Sequence, residues 1–357
     1  MYTREIKAAP DKLIVNGKPV FGTFGKHPYR LDIRGVKNPF GIMPVPTIIT
    51  NLKIKSKIRF TFSMDDFEGF IIIFNLKIFG LVEVCLWNKK TNQKYNYRTI
   101  TGPKTRFIPH NLEKASSSVL ISRRFLKISW DRPKNYFHVF FTMHGGRTVR
   151  PTISGSINMN FSDPSCCELT NVCPSPVMSR CSATYSLAST VDCKLSLNSR
   201  NKNEKPVIYQ STGTALFEMN RTYVKFHHTG EYVTACGEVD GKPLIFCISS
   251  TSQDAVNTDL YNSNVLFYNG SVTPLSPAVI THPFGVREKW IIQDTENMID
   301  LTFTPRSDNI TNANLLVLRT ETHAIYGTFE GTLMTSSGEK ISFKNLPGLS
   351  RKYLIRL

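Results

Sequence analysis

The amino-acid sequence predicts an all-β protein made of two tandem antiparallel barrels or sandwiches. Roughly twenty short segments alternate apolar and polar residues, recur every ~8–12 residues and are separated by turn formers. No segment has the apolar spacing of a helix longer than about two turns. Strict alternation is typical of antiparallel strands that bury one face and expose the other, which favours barrels over β–α units.

The first half of the chain contains the clearest alternation. Asn16–Pro19 is typical of a turn, and the three prolines of Asn38–Pro46 indicate extended chain, because proline lacks a backbone donor. From residue 53 the period is two, with Ile58, Phe60 and Phe62 on one face. The predicted strands are Leu13–Val15, Val20–Phe24, one starting at Lys53, Phe70–Phe79, Leu81–Trp87, Tyr95–Thr99, Arg106–Ile108, Phe125–Trp130, Tyr136–Met143 and Ile153–Phe161.

Residues 162–180 differ in composition from the segments on either side. Proline, serine and cysteine replace the alternation there, as expected of a connection between domains. We therefore predict a basic N-terminal β-barrel domain over 1–165, a linker over 166–180 and a C-terminal β-barrel domain over 181–357.

The second half resumes the strand pattern. Gly213–Cys247 reads as three or four strands joined by tight turns, and Asn269-Gly270 favours a two-residue type I′ hairpin. A polar loop is expected over Asn198–Pro206. Further strands are predicted at Thr190–Leu197, Val265–Tyr268, Ser271–Thr273, Trp290–Gln293, Met298–Thr304, Leu315–Arg319, Ala324–Leu333 and Lys340–Phe343.

The net charge of +17 is confined to the first half of the chain. Residues 1–150 carry 27 Lys and Arg against 9 Asp and Glu, a balance of +18, whereas residues 151–357 carry 17 against 18, a balance of −1. Such one-sided charge attracts polyanions: nucleic acid, an anionic membrane or an acidic protein lattice. The alternative explanation is a basic bias of the whole proteome that serves solubility.

A linear basic stripe is predicted on one strand face from residue 53 to residue 59. Basic residues next to aromatic ones also suit single-stranded nucleic acid, but the sequence has no recognisable RNA-binding motif. An acidic protein surface or lattice, such as tubulin, is therefore the preferred partner and nucleic acid the second. The docking candidates are Lys53, Lys55, Lys57, Arg59, Arg123 and Arg124.

Several classes of protein and site are not supported by the sequence. No run of about 18 apolar residues is present, and the N-terminal segment lacks the apolar stretch of a secretory signal. We therefore expect no transmembrane segment, a cytoplasmic location and reduced cysteines. The eight cysteines lack paired Cys-x-x-Cys spacing, so we predict neither a metal site nor any other cofactor. Cys85, Cys236 and Cys247 are expected to be small core residues.

The stretch Gly213–Cys247 holds the densest set of ionisable residues. Alternation places Arg221, Tyr223 and Lys225 on one strand face and Glu218 with Asn220, Thr222 and Val224 on the other. An inward arginine needs a carboxylate or a ligand anion, and Glu231 is a candidate partner for Arg221. A structural ion pair, a ligand-orienting role and acid–base catalysis all remain open. The ligand-binding candidates are Glu218, Arg221, Tyr223 and Glu231; no residue is assigned as catalytic.

The adjacent residues His227 and His228 are expected to be exposed near a turn. They face opposite sides of a strand, so they cannot bind one metal ion together.

The sequence resembles a known but uncharacterised family over most of its length, and the resemblance is strongest after Gly213. The ordered runs FEMNRTYVKF, GEVDGKPLIF, NVLFYNG, DLTFTP and YGTFEGT are similar to the family called domain of unknown function 2804. The resemblance implies tandem lipocalin-type barrels, distantly akin to carotenoid hydratases and tocopherol cyclase, which handle isoprenoid lipids. Many members carry an Asp-Trp-Gly-Arg-Gly run. Here Glu218–Thr222 occupies those positions, and only Arg221 and an acidic neighbour match it.

Three functional hypotheses follow from these observations. The first is a non-enzymatic protein whose basic half docks on an acidic partner. One such partner is a microtubule-type lattice, which implies a cytoskeletal location. The second is a carrier or modifier of a hydrophobic lipid or isoprenoid ligand that is bound inside a barrel. The third is a degenerate cyclase or hydratase with Glu218 or Asp254 as the acid, which the departures from the family pattern argue against.

Overall fold

The computed structural model describes residues 2–41, 45–77, 79–102, 107–145, 150–198, 205–224, 227–315 and 318–356. It contains two large sheets and a separate two-stranded hairpin, and the pairing is antiparallel except between two short strands near the N-terminus. The all-β, barrel-like architecture is confirmed. Within the described ranges, no helix is both long and apolar enough to span a membrane.

The first fifteen strands lie before residue 224, and the nine strands after it form the second sheet. The first fifteen are β1 (Ile6–Lys7), β2 (Ile14–Val15), β3 (Lys18–Pro19), β4 (Gly22–Phe24), β5 (Ile54–Met64), β6 (Phe67–Asn75), β7 (Gly80–Asn88), β8 (Lys94–Thr101), β9 (Lys114–Ile121), β10 (Arg124–Asp131), β11 (Tyr136–Met143), β12 (Thr152–Met159), β13 (Cys167–Pro174), β14 (Cys181–Asn198) and β15 (Val207–Tyr223). The rest are β16 (His227–Val239), β17 (Lys242–Thr251), β18 (Val265–Tyr268), β19 (Ser271–Pro274), β20 (Val279–Thr281), β21 (Trp290–Gln293), β22 (Ile299–Leu315), β23 (Leu318–Met334) and β24 (Lys340–Arg356).

The first sheet forms a nearly closed barrel of 13 strands. Its main path runs β8-β7-β6-β5-β15-β14-β12-β11-β10-β9, while β13 pairs with β14 and β4, and β4 with β1. The inner face holds the apolar side of each alternating strand. In β5, Ile58, Phe60 and Phe62 are fully buried in this core, as the alternation predicts. Trp130, Phe137 and Phe217 pack against one another there.

The second sheet is a half-barrel of nine strands in the order β19-β18-β17-β16-β24-β23-β22-β21-β20. Strands β16–β19 form one meander and strands β20–β24 form another. The two meanders meet where β16 pairs with β24. The β18–β19 hairpin turns at Asn269 and Gly270, whose φ angles of 47° and 77° fit the predicted type I′ turn. The second core surrounds Phe246, Phe303 and Phe329.

The two sheets pack against each other through the outer face of the first barrel. The residues of β6 between Phe70 and Phe74 are apolar on both faces, which is the pattern of a strand covered on both sides. Trp87 of β7 stacks on Tyr326 of β23 with ring centroids 6.0 Å apart, and its indole donates a hydrogen bond to Ser307 Oγ at 3.1 Å. The two sheets therefore share an interface with a core of its own.

The structure differs from the sequence-based expectations in three places. The predicted linker, 166–180, contains β13, which is hydrogen-bonded on both edges. Sheet membership changes instead between Tyr223 and His227, so β14 and β15 belong to the first sheet. The division of the chain into folding domains stays a prediction.

A six-residue helix, α1 (Thr47–Leu52), and a 3₁₀ turn at Arg132–Lys134 were not expected. The predicted strand Arg106–Ile108 and the loop Asn198–Pro206 lie partly outside the described residues.

Cys85, Cys236 and Cys247 are buried as free thiols, which agrees with their expected role as small core residues, although the Cys247 thiol also lies 3.6 Å from the Glu218 carboxylate.

Two phenylalanines of β11 provide a test of the inner core. We expect Phe137→Ala to lower the free energy of unfolding by about 3–5 kcal/mol, because it leaves a cavity between Trp130 and Phe217. Phe140 lies on the opposite face of the same strand and is 38% exposed, so Phe140→Ala should cost less than about 1 kcal/mol. Urea unfolding of both variants measures the difference, and equal losses would contradict the assignment of the faces.

Candidate functional site

A cleft lies between the outer face of the first sheet and the second sheet. It consists of two adjoining chambers, the apolar chamber and the polar chamber, each with a volume of about 130 Å³. A cavity of this size holds several water molecules or part of an organic ligand. The residues common to both chambers are Lys57, Arg59, Asn220, Thr222, His228 and Tyr353.

The apolar chamber combines a hydrocarbon-like wall with positive charge. Its basic residues are Lys55, Lys57, Arg59, Arg98 and Arg351, and no described carboxylate lines it. Within the described residues, Lys55, Lys57 and Arg98 form no ion pair, whereas Arg351 has Glu83 at 4.0 Å. The apolar wall consists of Ile72, Phe74, Leu76, Phe79, Leu81, Ile100, Val224 and Ile355.

The polar chamber is lined by hydroxyl, amide and carboxyl groups. Glu218, Tyr232 and Asp254 are its principal chemical groups, and Ser182, Thr184, Gln253 and Asn262 add hydrogen-bonding capacity. Burial raises the pKa of the Asp254 carboxyl, although hydrogen bonds from Thr251 oppose that shift. Asp254 therefore holds a proton more readily than an exposed aspartate does.

The pairing of β5 with β15 explains why these side chains meet. Arg59 lies opposite Glu218, Lys57 opposite Asn220 and Lys55 opposite Thr222. Each is one residue out of phase with the apolar residues that fill the first barrel, so all point toward the second sheet. The predicted division of β15 into two faces is thus observed, except that Lys225 lies outside the described residues.

A buried ion pair fixes the boundary between the chambers. Arg59 Nη1 donates to Glu218 Oε2 at 3.1 Å, and the Tyr232 hydroxyl donates to the same oxygen at 2.7 Å. The guanidinium also lies 3.5 Å from the Tyr232 ring centroid. Burial raises the pKa of Tyr232 well above its usual value, so the phenol stays protonated and donates to the carboxylate. Cys247 Sγ lies 3.6 Å from Glu218 Oε1.

Lys57 has a different environment from its neighbour Arg59. No hydrogen bond or ion pair to its Nζ is found within the described ranges, and its side chain is half-buried. Burial lowers the pKa of Lys57 to about 7, and the nearby Arg59 charge acts in the same direction. Lys55, by contrast, donates from Nζ to the Leu76 carbonyl at 2.9 Å.

His228 and Tyr353 form a second polar pair at the junction of the chambers. Tyr353 Oη lies 3.1 Å from His228 Nε2, and the rings meet edge to face at 5.0 Å. Burial lowers the pKa of His228 to about 4, and Lys57 contributes to the shift. The imidazole is therefore neutral at pH 7, and a hydrogen bond joins its Nε2 to the Tyr353 hydroxyl.

The four predicted ligand-binding residues are not brought together. Glu218 lines the polar chamber, but Arg221 and Tyr223 point into the first barrel. Arg221 donates to Ser56 Oγ at 2.8 Å, Ile108 O at 3.0 Å and Pro109 O at 2.7 Å, so backbone carbonyls satisfy it rather than an acid. Tyr223 donates to Ile33 O at 3.0 Å.

The expected pairing of Glu231 with Arg221 is wrong, because Glu231 belongs to the second sheet. Its Oε1 lies 2.7 Å from His282 Nε2 and 3.5 Å from Lys352 Nζ, beside a separate surface cavity.

The six docking candidates do not form one exposed surface. Lys55, Lys57 and Arg59 face the second sheet, and Lys53 is half-buried after α1. Arg124 donates to Arg98 O at 2.6 Å, to Thr99 Oγ1 and to His144 O, so its guanidinium stabilises the fold through hydrogen bonds. Only Arg123 of the six is exposed.

Sequence reasoning missed most of the second sheet's contribution to the cleft. His228 was expected to be an exposed turn residue, while Arg351 and Tyr353 of β24 received no role. The available signal was the placement of Arg351 and Tyr353 two residues apart on one face of β24, but that spacing does not reveal which strand lies opposite. Within the described residues, no cluster of three or more His, Cys, Asp or Glu side chains has a geometry suited to a metal ion.

Comparison with known proteins identifies a family and a fold. The model of the family described as a domain of unknown function (DUF2804) matches residues 3–356. No curated protein matches the sequence. The chain is similar to the solved structure of CghA, at 10% identity and a TM-score of 0.44, with 86% of this chain and 89% of that chain covered. It is also similar to kievitone hydratase from Nectria haematococca, at 9% identity and a TM-score of 0.40, with 85% and 88% covered. These similarities concern the fold alone.

The hypothesis of a non-enzymatic protein that docks on an acidic lattice is wrong. Most of the basic side chains chosen for docking face the cleft or are used inside the fold, so they cannot present a continuous stripe to a partner. Neither a tubulin-type partner nor a cytoskeletal location retains support.

The Arg59–Glu218 pair can be tested by a double-mutant cycle. Glu218→Gln should lower the free energy of unfolding by about 3–5 kcal/mol, because it leaves the buried guanidinium without a counter-charge. Adding Arg59→Met should recover much of that loss. The exposed pair of Lys7 and Glu5 is the control, and Glu5→Gln should cost less than about 1 kcal/mol. Additive losses for the two cleft substitutions would show that the pair is not coupled.

The environment of Lys57 predicts a pH-dependent stability. With a folded pKa of about 7 and an unfolded pKa near 10.4, the unfolded chain binds more protons between these values, so the contribution of Lys57 to stability rises with pH across this window. Lys57→Met should therefore raise Tm more at pH 6 than at pH 10. Scanning calorimetry at both pH values measures this, with Lys12→Met at an exposed site as the control. A Tm difference independent of pH would contradict it.

Proposed function

This chain belongs to the family described as domain of unknown function 2804, and we propose that it binds a hydrophobic small molecule with an anionic head group in the inter-sheet cleft. The observation that carries the proposal is the lining of the apolar chamber. Five basic side chains and eight apolar ones border the same space, with no described carboxylate among them. The ligand-carrier or ligand-modifier hypothesis is thereby retained, with the ligand between the sheets instead of inside a barrel.

Electrostatics favours a negatively charged ligand. Cations removed from water and left without counter-ions are costly, and a ligand carboxylate or phosphate offsets that cost through charge-assisted hydrogen bonds. Arg98 forms no ion pair within the described part of the chain and is the charged group available for this contact. The hydrocarbon part of the ligand would contact Ile72, Phe74 and Leu81.

The polar chamber supplies groups for chemistry on a bound ligand. Glu218 is held as an acceptor by Arg59 and Tyr232, whereas Asp254 has its pKa raised by burial. A carboxylate and a protonatable carboxyl in one cavity are the pair that general acid–base catalysis requires. A modifying role is therefore compatible with the same binding mode.

Three probes of equal chain length test the proposal: octanoate, octanol and octylammonium. We expect octanoate to bind at least about tenfold more tightly than the other two, because only it neutralises the chamber. Isothermal titration calorimetry gives the affinities. Arg98→Gln should weaken octanoate binding, whereas Arg123→Gln, at an exposed turn, should leave it unchanged. Equal binding of octanoate and octylammonium would overturn the proposal.

A further inference from the structure

Lys57 is placed differently from the other lysines of the described chain. It lines both chambers of the cleft, so its amine can reach a ligand that occupies either one. Its Nζ has no hydrogen bond or ion pair within the described ranges, whereas Lys55, in the same chamber, is held by the Leu76 carbonyl. Lys57 therefore presents a free amine beside an apolar wall.

We infer that the Lys57 amine is a covalent binding site that captures an aldehyde or ketone group of an apolar ligand as an imine. This inference rests on the proposed function for one element, namely that the hydrocarbon part of the ligand contacts the apolar wall of the chamber. The basic residues around it would hold a carboxylate on the same ligand, so an apolar oxo acid combines both features.

The surroundings of Lys57 keep its amine reactive. Positive neighbours disfavour the ammonium form, and a lysine next to other cations in a partly dehydrated site is the usual arrangement of an amine that attacks carbonyl groups. Its pKa of about 7 agrees with this geometry, and burial is the main cause. Glu218 acts in the opposite direction but is engaged by Arg59 and Tyr232. The groups that face Lys57 are Lys55 and Arg59 of β5, Arg98 of β8, Glu218, Asn220 and Thr222 of β15, His228 and Tyr232 of β16, Cys247 of β17, and Arg351 and Tyr353 of β24.

The capture step needs no additional reactant. The Nζ lone pair attacks the carbonyl carbon, the carbonyl π electrons move to oxygen, and a proton passes from nitrogen to oxygen to give a carbinolamine. Loss of the hydroxyl group as water, with the second amine proton, leaves a C=N bond. Atoms balance as aldehyde plus amine giving imine plus water, and nothing is oxidised or reduced.

Reductive trapping tests the inference on the full chain. The protein is treated at pH 7 with butanal or octanal and cyanoborohydride, and alkylated lysines are located by peptide mapping. With butanal, we expect Lys57 to be modified at least about tenfold faster than the exposed Lys12. Equal rates at the two lysines would overturn the inference.

A pH profile and one variant separate reactivity from simple exposure. The butanal rate at Lys57 should be half-maximal near pH 7, well below the value of about 10.4 that is usual for a lysine amine in water. Arg351→Gln removes a nearby cation, so it should move the Lys57 profile to higher pH. A Lys57 profile that coincides with that of Lys12 would overturn the inference.

The two aldehydes distinguish this inference from the proposed function. Selective modification of Lys57 by both butanal and octanal supports both ideas. Selective modification by butanal alone supports the reactive amine but overturns the apolar binding site, because the short aldehyde does not need the hydrocarbon wall.

Discussion

The Arg59–Glu218 pair, with Tyr232 hydrogen-bonded to the same carboxylate, is the interaction on which the arrangement of the cleft depends. It links two adjacent strands of the first sheet to a strand of the second, in a space from which water is largely excluded. The ion pair itself lies within the first sheet, so sliding the second sheet would remove the Tyr232 hydrogen bond to the buried carboxylate and the contact of its ring with the Arg59 guanidinium, which costs free energy. The position of the second sheet, and with it the shape of both chambers, follows from this contact.

The same contact explains why neighbouring basic residues differ in behaviour. Arg59 uses the available carboxylate, so Lys57, two residues earlier on the same face, has none. An arginine is well suited to the paired position because its planar group donates several hydrogen bonds and stays charged. A lysine in the unpaired position can release its proton instead. β5 therefore carries Arg59, which is held in a structural ion pair, and Lys57, whose protonation state can change.

Much of the fold was predictable from the sequence, but the site was not. The alternation around Ile58 to Phe62 and the Asn269-Gly270 turn are local signals, because a strand's own side chains report which face is buried. The partner of the opposite face is not local: Lys55, Lys57 and Arg59 have the spacing of a solvent-exposed face, and only the position of β16 and β24 shows that they are covered. Arg221 illustrates the reverse case, since backbone carbonyls from residues 108 and 109 satisfy a charge for which the sequence suggests an acid.

The pairing of β16 with β24 has a consequence for the order in which the molecule is assembled during synthesis. β16 leaves the ribosome more than a hundred residues before β24, yet neither of its neighbours in the cleft, Arg351 or Tyr353, exists until that last strand is made. The nascent chain can complete the first barrel early, since proteins generally fold from the N-terminus as they emerge. During the interval one edge of β16 stays open and the cleft lacks a wall, so the cleft is incomplete until β24 has been synthesised.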